Sequence, residues 1–305
     1  MNNTNTFHEE NLSLIEIVIF LWKKRVLIIS FTLISSIFAI TYSLSLPDIY
    51  KSEAILSSVD DQSSPIPKLG GIASLAGINM TQSNTSKSQE AIQLLKSFYF
   101  FSLYEKNTDI MPYLMASKNW NPLTNEVQFN DSIYDKNSSK WTREVKFPKQ
   151  SKPSQQEAYK EFKKIFNVSQ DIDSSFIFLS VKHVSPHIAK KMVDDIVKLL
   201  NELMRDKDRD EAIRSLNFLN SQIANTSLAE MRLALADLIR QETQTLMLVE
   251  ANEDYVFKII DPPIASEIKS EPNRAYLCIL YTFLGFMISI FICLILFYKQ
   301  SNQRT

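Results

Sequence analysis

The chain has 305 residues, 45% of them hydrophobic, and a formal net charge of −1. So balanced a charge offers no basic field for nucleic acid, and there is no acidic tail. It holds two cysteines, Cys278 and Cys293, which stand about 22 Å apart if one helix carries both, beyond disulfide reach.

Residues 1–25 form a polar tail ending in Lys23, Lys24 and Arg25. Within it Leu14, Ile15, Val18, Ile19 and Trp22 share roughly one helical face over Asn11–Trp22, the pattern of a short interfacial helix. Val26–Leu46 follows without a charged side chain and is long enough to cross a hydrocarbon core of about 30 Å. It is too long for a signal-peptide core and carries no small-x-small cleavage site, so it reads as a retained span. Ala275–Tyr298 is a second span of the same kind, leaving residues 299–305 as a tail. The basic cluster before the first span, with Lys299 after the second, places both ends in the cytoplasm and residues 47–274 across the membrane. Arg274, just on the outer side of the second span, runs mildly against that orientation.

In the middle domain, Tyr50–Ser57 alternates as a strand should. Asp60–Ser86 reads as a long loop whose centre is hinged by Gly70, Gly71 and Gly77. Either it is a plain connector, or it packs on a neighbouring subunit or the membrane surface. Ser88–Lys106 has helical spacing at Ile92, Leu95, Phe98 or Tyr99, and Leu103. Asn107–Lys152 is irregular and broken by Pro112, Pro122 and Pro148. Pro153–Phe166 predicts a helix capped by Ser154, and Ser175–Val184 a central strand.

Ser185-Pro186 opens a stretch free of glycine and proline that lasts to Ala251. The apolar stripe slips phase at Asn225-Thr226-Ser227, and Ser227 with Glu230 has capping-box spacing. A helical hairpin turning there is therefore expected, because the strand at Tyr255–Ile260 is tied to the second span by Asp261–Arg274, at most about 50 Å of chain. The RDKDRDE run at 205–211 reads as a solvated helix face. Pro262, Pro263 and Pro272 would hold the last approach extended. Ser30, Ser35, Ser36 and Gly285 are small enough for close helix contact or simply face lipid.

No phosphate loop, HExxH or cysteine-based metal spacing occurs. Of the three histidines, His183 and His187 are four apart, but one ends a strand and the other starts a helix, so solvated or capping roles are expected. No pattern pairs two carboxylates as acid and base. Catalytic, cofactor and metal residues are thus all expected to be absent.

Four stretches together resemble the bacterial polysaccharide co-polymerases, the Wzz-type chain length determinant proteins. They are LIEIVIFLWKKR at the first span, YKSEAIL with LGGIASLAGI after it, the segment TSLAEMRLALADLIRQETQTLMLVEANEDYVFKIIDPP, and the run from Asp261-Pro262-Pro263 to Pro272-Asn273-Arg274. The resemblance implies an α+β fold: two transmembrane helices flanking a periplasmic α/β base (47–184 and 252–274) with a long helical extension (185–251). It implies a ring-shaped homo-oligomer in the inner membrane, no cofactor, no catalysis, and control of glycan length beside a polysaccharide polymerase and its lipid-linked glycan. Pro263 departs from the small residue expected after Asp-Pro, and the extension is shorter than in the tallest members. An export co-polymerase for capsule or exopolysaccharide, working with a separate tyrosine kinase, has the same layout, though the short final tail shows no tyrosine cluster. A two-span sensor and a tethered glycan hydrolase are further alternatives.

Overall fold

The computed structural model describes residues 14–59, 82–251 and 254–301. It divides into two units, Met1–Asp48 with Ser270–Thr305, and Ile49–Lys269. In the first unit α1 covers Leu14–Lys23 and α2 covers Arg25–Ser45. Trp22 is largely exposed at the end of α1, as an interfacial helix requires.

The second unit begins with β1 (Tyr50–Ser58), then α3 (Gln82–Leu95) and α4 (Phe98–Asn107). The helix expected over Ser88–Lys106 is therefore two helices. Ser97 separates them: its hydroxyl donates to the Leu94 carbonyl (2.7 Å) and accepts from the Phe100 N–H (3.0 Å), an N-cap inside the apolar run. Ile92 and Leu95 are buried as the spacing suggests, but after the turn Phe100, Phe101 and Tyr104 go inward and Phe98 and Tyr99 stay outside. The loop expected to reach Ser86 gives way to helix at Gln82. Gly70, Gly71 and Gly77 lie outside the described residues.

Asn107–Lys152 is more ordered than its composition suggests. It holds α5 (Met111–Ala116) and two small hairpins, β2 (Ser117–Asn121) with β3 (Glu126–Phe129), and β4 (Tyr134–Asp135) with β5 (Lys140–Trp141). An aromatic chain links them, Tyr113 to Phe129 to Tyr134 to Trp141, with ring centroids 4.9–5.5 Å apart. Helix α6 (Gln155–Ile165) starts on a full capping box between Ser154 and Glu157. Phe166, expected as its last residue, instead begins β6 (Phe166–Gln170), an edge strand of five residues, mostly exposed, without a clean alternation.

β7 (Ile177–His183) is central, in the sheet order β6-β7-β1-β8. Pro186–Asn225 is α7, capped by the Ser185 hydroxyl, and Ala229–Ala251 is α8. The break falls where the apolar phase slips. The first bond of α8 runs from the Arg232 N–H to the Leu228 carbonyl, so Leu228 and not Ser227 holds the N-cap position. Arg209 on α7 pairs with Glu250 on α8 (2.5 Å), far from the break on either side, which makes the pair an antiparallel hairpin. β8 (Phe257–Asp261) is the second sheet edge, and α9 (Arg274–Ser301) ends the first unit.

The core forms between one sheet face and the first half of α7. Ala54, Leu56, Ile177, Leu179 and Val181 meet Met192, Val193, Ile196 and Leu200, spaced three and four apart. Each of the larger ones contributes about 1.5–3 kcal/mol by leaving water. Beyond Met204 only Ala212 of α7 is fully buried, so the base takes in the first five turns of this helix.

His183 is buried and hydrogen-bonded, not solvated. Its Nδ1 accepts the Ser185 N–H (3.0 Å), which leaves the ring proton on Nε2, 3.1 Å from the Tyr113 carbonyl. Burial pushes its pKa below the usual imidazole value, against weaker support from the Tyr113 and Ser185 backbone. The unfolded chain then binds more protons, so stability is full above about pH 6.5 and falls as pH drops below that. Melting of the detergent-solubilised chain between pH 7.5 and 5.5 should show a loss of up to about 1.4 kcal/mol per unit below the unfolded pKa. His183→Gln should flatten that slope. Glu157, drawn down to about 2 by Arg143, acts only in a lower window, between about pH 4.5 and 2.

Candidate functional site

Three places carry the residues that tie this molecule together. The first is the seam between the spans. Both α2 and α9 are long and apolar enough to cross a membrane. They run antiparallel: Tyr42 meets Tyr281 (5.8 Å between rings), and the Ser35 hydroxyl donates to the Tyr281 carbonyl (2.8 Å). A Cβ placed on Gly285 would fall inside van der Waals contact of the Ser35 side chain, so only glycine permits this approach. From that contact two runs of small residues diverge in opposite directions, each with a four-residue step. On α2 they are Ser35, Ala39 and Ser43; on α9 they are Gly285, Ser289 and Cys293. The sequence reading picked out Ser35 and Gly285 but missed this repeat, although i, i+4 spacing of small residues was its signal. Ser30, by contrast, is exposed.

The second place is the proline approach. β8 pairs with β1 up to Asp261 opposite Ile55. Pro262 and Pro263 have no N–H to continue that ladder. The chain stays attached through the buried Ser52, whose hydroxyl donates to the Ile264 carbonyl (2.8 Å). Pro262 is exposed, Pro263 buried and Pro272 half-buried. Asn273 caps α9, its side chain accepting from the Tyr276 N–H (3.1 Å). Arg274 pairs with Asp48 (2.9 Å), which ties the start of α9 to the residues after α2.

The third place was not legible as a site. The RDKDRDE run does not lie wholly on a solvated face. Asp208 points inward and takes a proton donor from each of two elements: Lys87 of α3 (2.6 Å) and the Tyr255 hydroxyl (2.6 Å). Lys87 also donates to Tyr255 (2.9 Å) and lies over its ring. Burial works to lower the Lys87 pKa, but hydrogen bonds to Asp208 and Tyr255 outweigh it and raise it. Burial, with Asp208 beside it, pushes Tyr255 up to about 12. Lys207 pairs with Glu90, and Arg209 bridges Asp206 and Glu250. Two turns before Asp208, the buried Asn201 accepts from the Val256 and Phe257 N–H groups (both 3.1 Å) and donates to the Phe257 carbonyl (2.8 Å). All of its bonds go to the backbone at the start of β8, fixing that strand to α7.

Among the described residues no three His, Cys, Asp or Glu side chains gather as a metal site. A groove beside α7 mixes three carboxylates, Asp194, Glu202 and Asp254, with two cations, Lys198 and Arg205.

The family model for Wzz, chain length determinant protein, matches residues 10–102. The match covers the first third of the chain, from the tail through α2 and β1 into α4. No curated protein matches. Among solved structures, a full-length bacterial polysaccharide co-polymerase is similar at 14% identity, covering 94% of this chain and 98% of that one, with a TM-score of 0.40. A fragment of WzzB, polysaccharide co-polymerase from Salmonella Typhimurium, is similar at 10% identity, covering 74% of this chain and all of that one, with a TM-score of 0.28.

Replacing Gly285 with alanine should destabilise the packed spans by about 1–3 kcal/mol. Titrating the full chain in micelles with sodium dodecyl sulfate would read this. Adding Ser35→Gly should restore most of the loss, and no rescue would mean that the two residues are not in contact.

Proposed function

We propose that this chain regulates the length of a polysaccharide of O-antigen type without catalysing a reaction, as a homo-oligomer in the inner membrane beside the polymerase. The Wzz match over residues 10–102 carries the reading. Its architecture supports it: two spans, a domain tethered at both ends, and a helical hairpin beyond the sheet. Lys23, Lys24 and Arg25 before α2, with Lys299 at the end of α9, favour cytoplasmic ends and a periplasmic domain.

Self-association has its own support. Phe218, Leu228, Met231 and Leu233 are all more than half exposed on the outer part of the α7–α8 hairpin. Side by side in a ring, identical copies would cover these side chains. Copies so arranged would present their hairpins side by side to the growing glycan. Pro262, Pro263 and Pro272 would hold the link from sheet to α9 extended, so that a shift of the base is passed on rather than absorbed. Gly285 would keep the two spans a single unit.

Deleting the gene and running the lipopolysaccharide on a gel tests the reading. The expected result is loss of a modal cluster of bands with polymer still made. Normal banding with loss of surface capsule would overturn it in favour of an export co-polymerase. Restoring the gene with Pro262→Ala and Pro263→Ala should shift the mode without abolishing polymer, and an unchanged ladder would remove the prolines from the mechanism.

A further inference from the structure

We propose that the tip of the β2–β3 hairpin is a membrane anchor that inserts Leu123 among the lipid headgroups. Leu123 is 94% exposed at the end of the hairpin, with Pro122 beside it. A large aliphatic side chain so placed gains nothing from the fold. Two of the donors around it are already satisfied within the tip. The Leu123 N–H donates to Asn121 Oδ1 (2.9 Å), and the Trp120 indole N–H donates to Asn125 Oδ1 (3.0 Å). Withdrawing the tip from water therefore strands neither of these donors.

The partner follows from where the hairpin sits. Trp120 packs edge-on against Tyr50, with ring centroids 5.5 Å apart. Tyr50 stands five residues after Ser45, the last residue of α2, which is at most about 18 Å of chain. Leu123 lies only three residues past Trp120, so within about 10 Å of it. The tip is thus within reach of the interfacial layer above the hydrocarbon core. Tryptophan and tyrosine are the residues that favour this layer, and the exposed Lys118 adds a cation suited to phosphate headgroups.

The same domain supplies an internal control. Ile172 is equally bare, at 95% exposure, on the β6–β7 turn. Strand register puts that turn at the opposite end of the sheet. Tyr50 pairs with His183, whereas Leu56 pairs with Ile177, about 20 Å further along β1. Exposure alone does not mark the membrane; exposure at the Tyr50 end does.

The anchor rests on α2 and α9 lying in a bilayer and is independent of which glycan is regulated. The test uses the full chain with Cys278→Ser and Cys293→Ser, reconstituted in phosphatidylethanolamine–phosphatidylglycerol vesicles. Leu123→Cys, Ile172→Cys and, as a reference on the exposed face of α2, Ile29→Cys are each labelled with an environment-sensitive fluorophore. Nitroxide-bearing lipid should quench the Leu123 site at least twofold more than the Ile172 site, with Ile29 quenched most. Equal quenching at 123 and 172 would overturn the anchor. So would a probe at 123 that is shielded from water but not reached by lipid, which would assign the tip to a second copy. An unquenched Ile29 site would remove the membrane and the anchor with it, whatever a glycan gel shows.

Discussion

The fold depends on closing a loop of about 230 residues between two membrane helices. Bringing such distant points together costs roughly 5 kcal/mol in chain entropy by the logarithmic rule, before any other ordering. Ser35 against Gly285, the bond from Ser35 to the Tyr281 carbonyl and the Asp48–Arg274 pair offset that cost within the first unit. In the second unit the same closure is repeated in another form. β1, the first strand, pairs with β8, the last, and Ser52 continues to hold the chain past the point where the prolines end the ladder. A chain made this way leaves the membrane and returns to it at one place, so whatever the middle builds must double back. The break at Thr226 is where it does so.

Helix α7 serves two environments. Its first five turns are core, with Met192, Val193, Ile196 and Leu200 fully or almost fully buried, and its last turns are a surface that carries exposed apolar side chains. Where one regime passes into the other, Asp208 gathers Lys87 and Tyr255. A partly buried carboxylate is tolerated there because both of its partners are themselves anchored, one on α3 and one just ahead of β8. These contacts fix the root of the hairpin to the base. That root decides the direction in which the hairpin stands.

The features that are local in the sequence were the ones legible from it. The two spans, β1, the central strand β7, the Ser154 and Ser185 caps and the break near Thr226 all follow from hydropathy, period or capping spacing. Ser97 was missed because the apolar run continues through it and a hydroxyl inside such a run gives no pattern of its own. β6 was missed because five residues, mostly exposed, do not alternate cleanly. Asp208 was read as solvated because its two partners lie more than a hundred and nearly fifty residues away. Ala39, Ser43, Ser289 and Cys293 were overlooked for a different reason: a small residue in an apolar span is inconspicuous until its four-residue repeat is traced on both helices.

The account stands on the hairpin topology of the spans, with both ends on one side of the membrane and the domain on the other. Single cysteines at Thr4, Gln150 and Thr305, in a chain lacking Cys278 and Cys293, can be probed with a membrane-impermeant maleimide. In cells whose outer membrane alone is permeabilised, position 150 should label at once, and positions 4 and 305 only after lysis. Protection of position 150, or terminal positions that label on opposite sides, would contradict it.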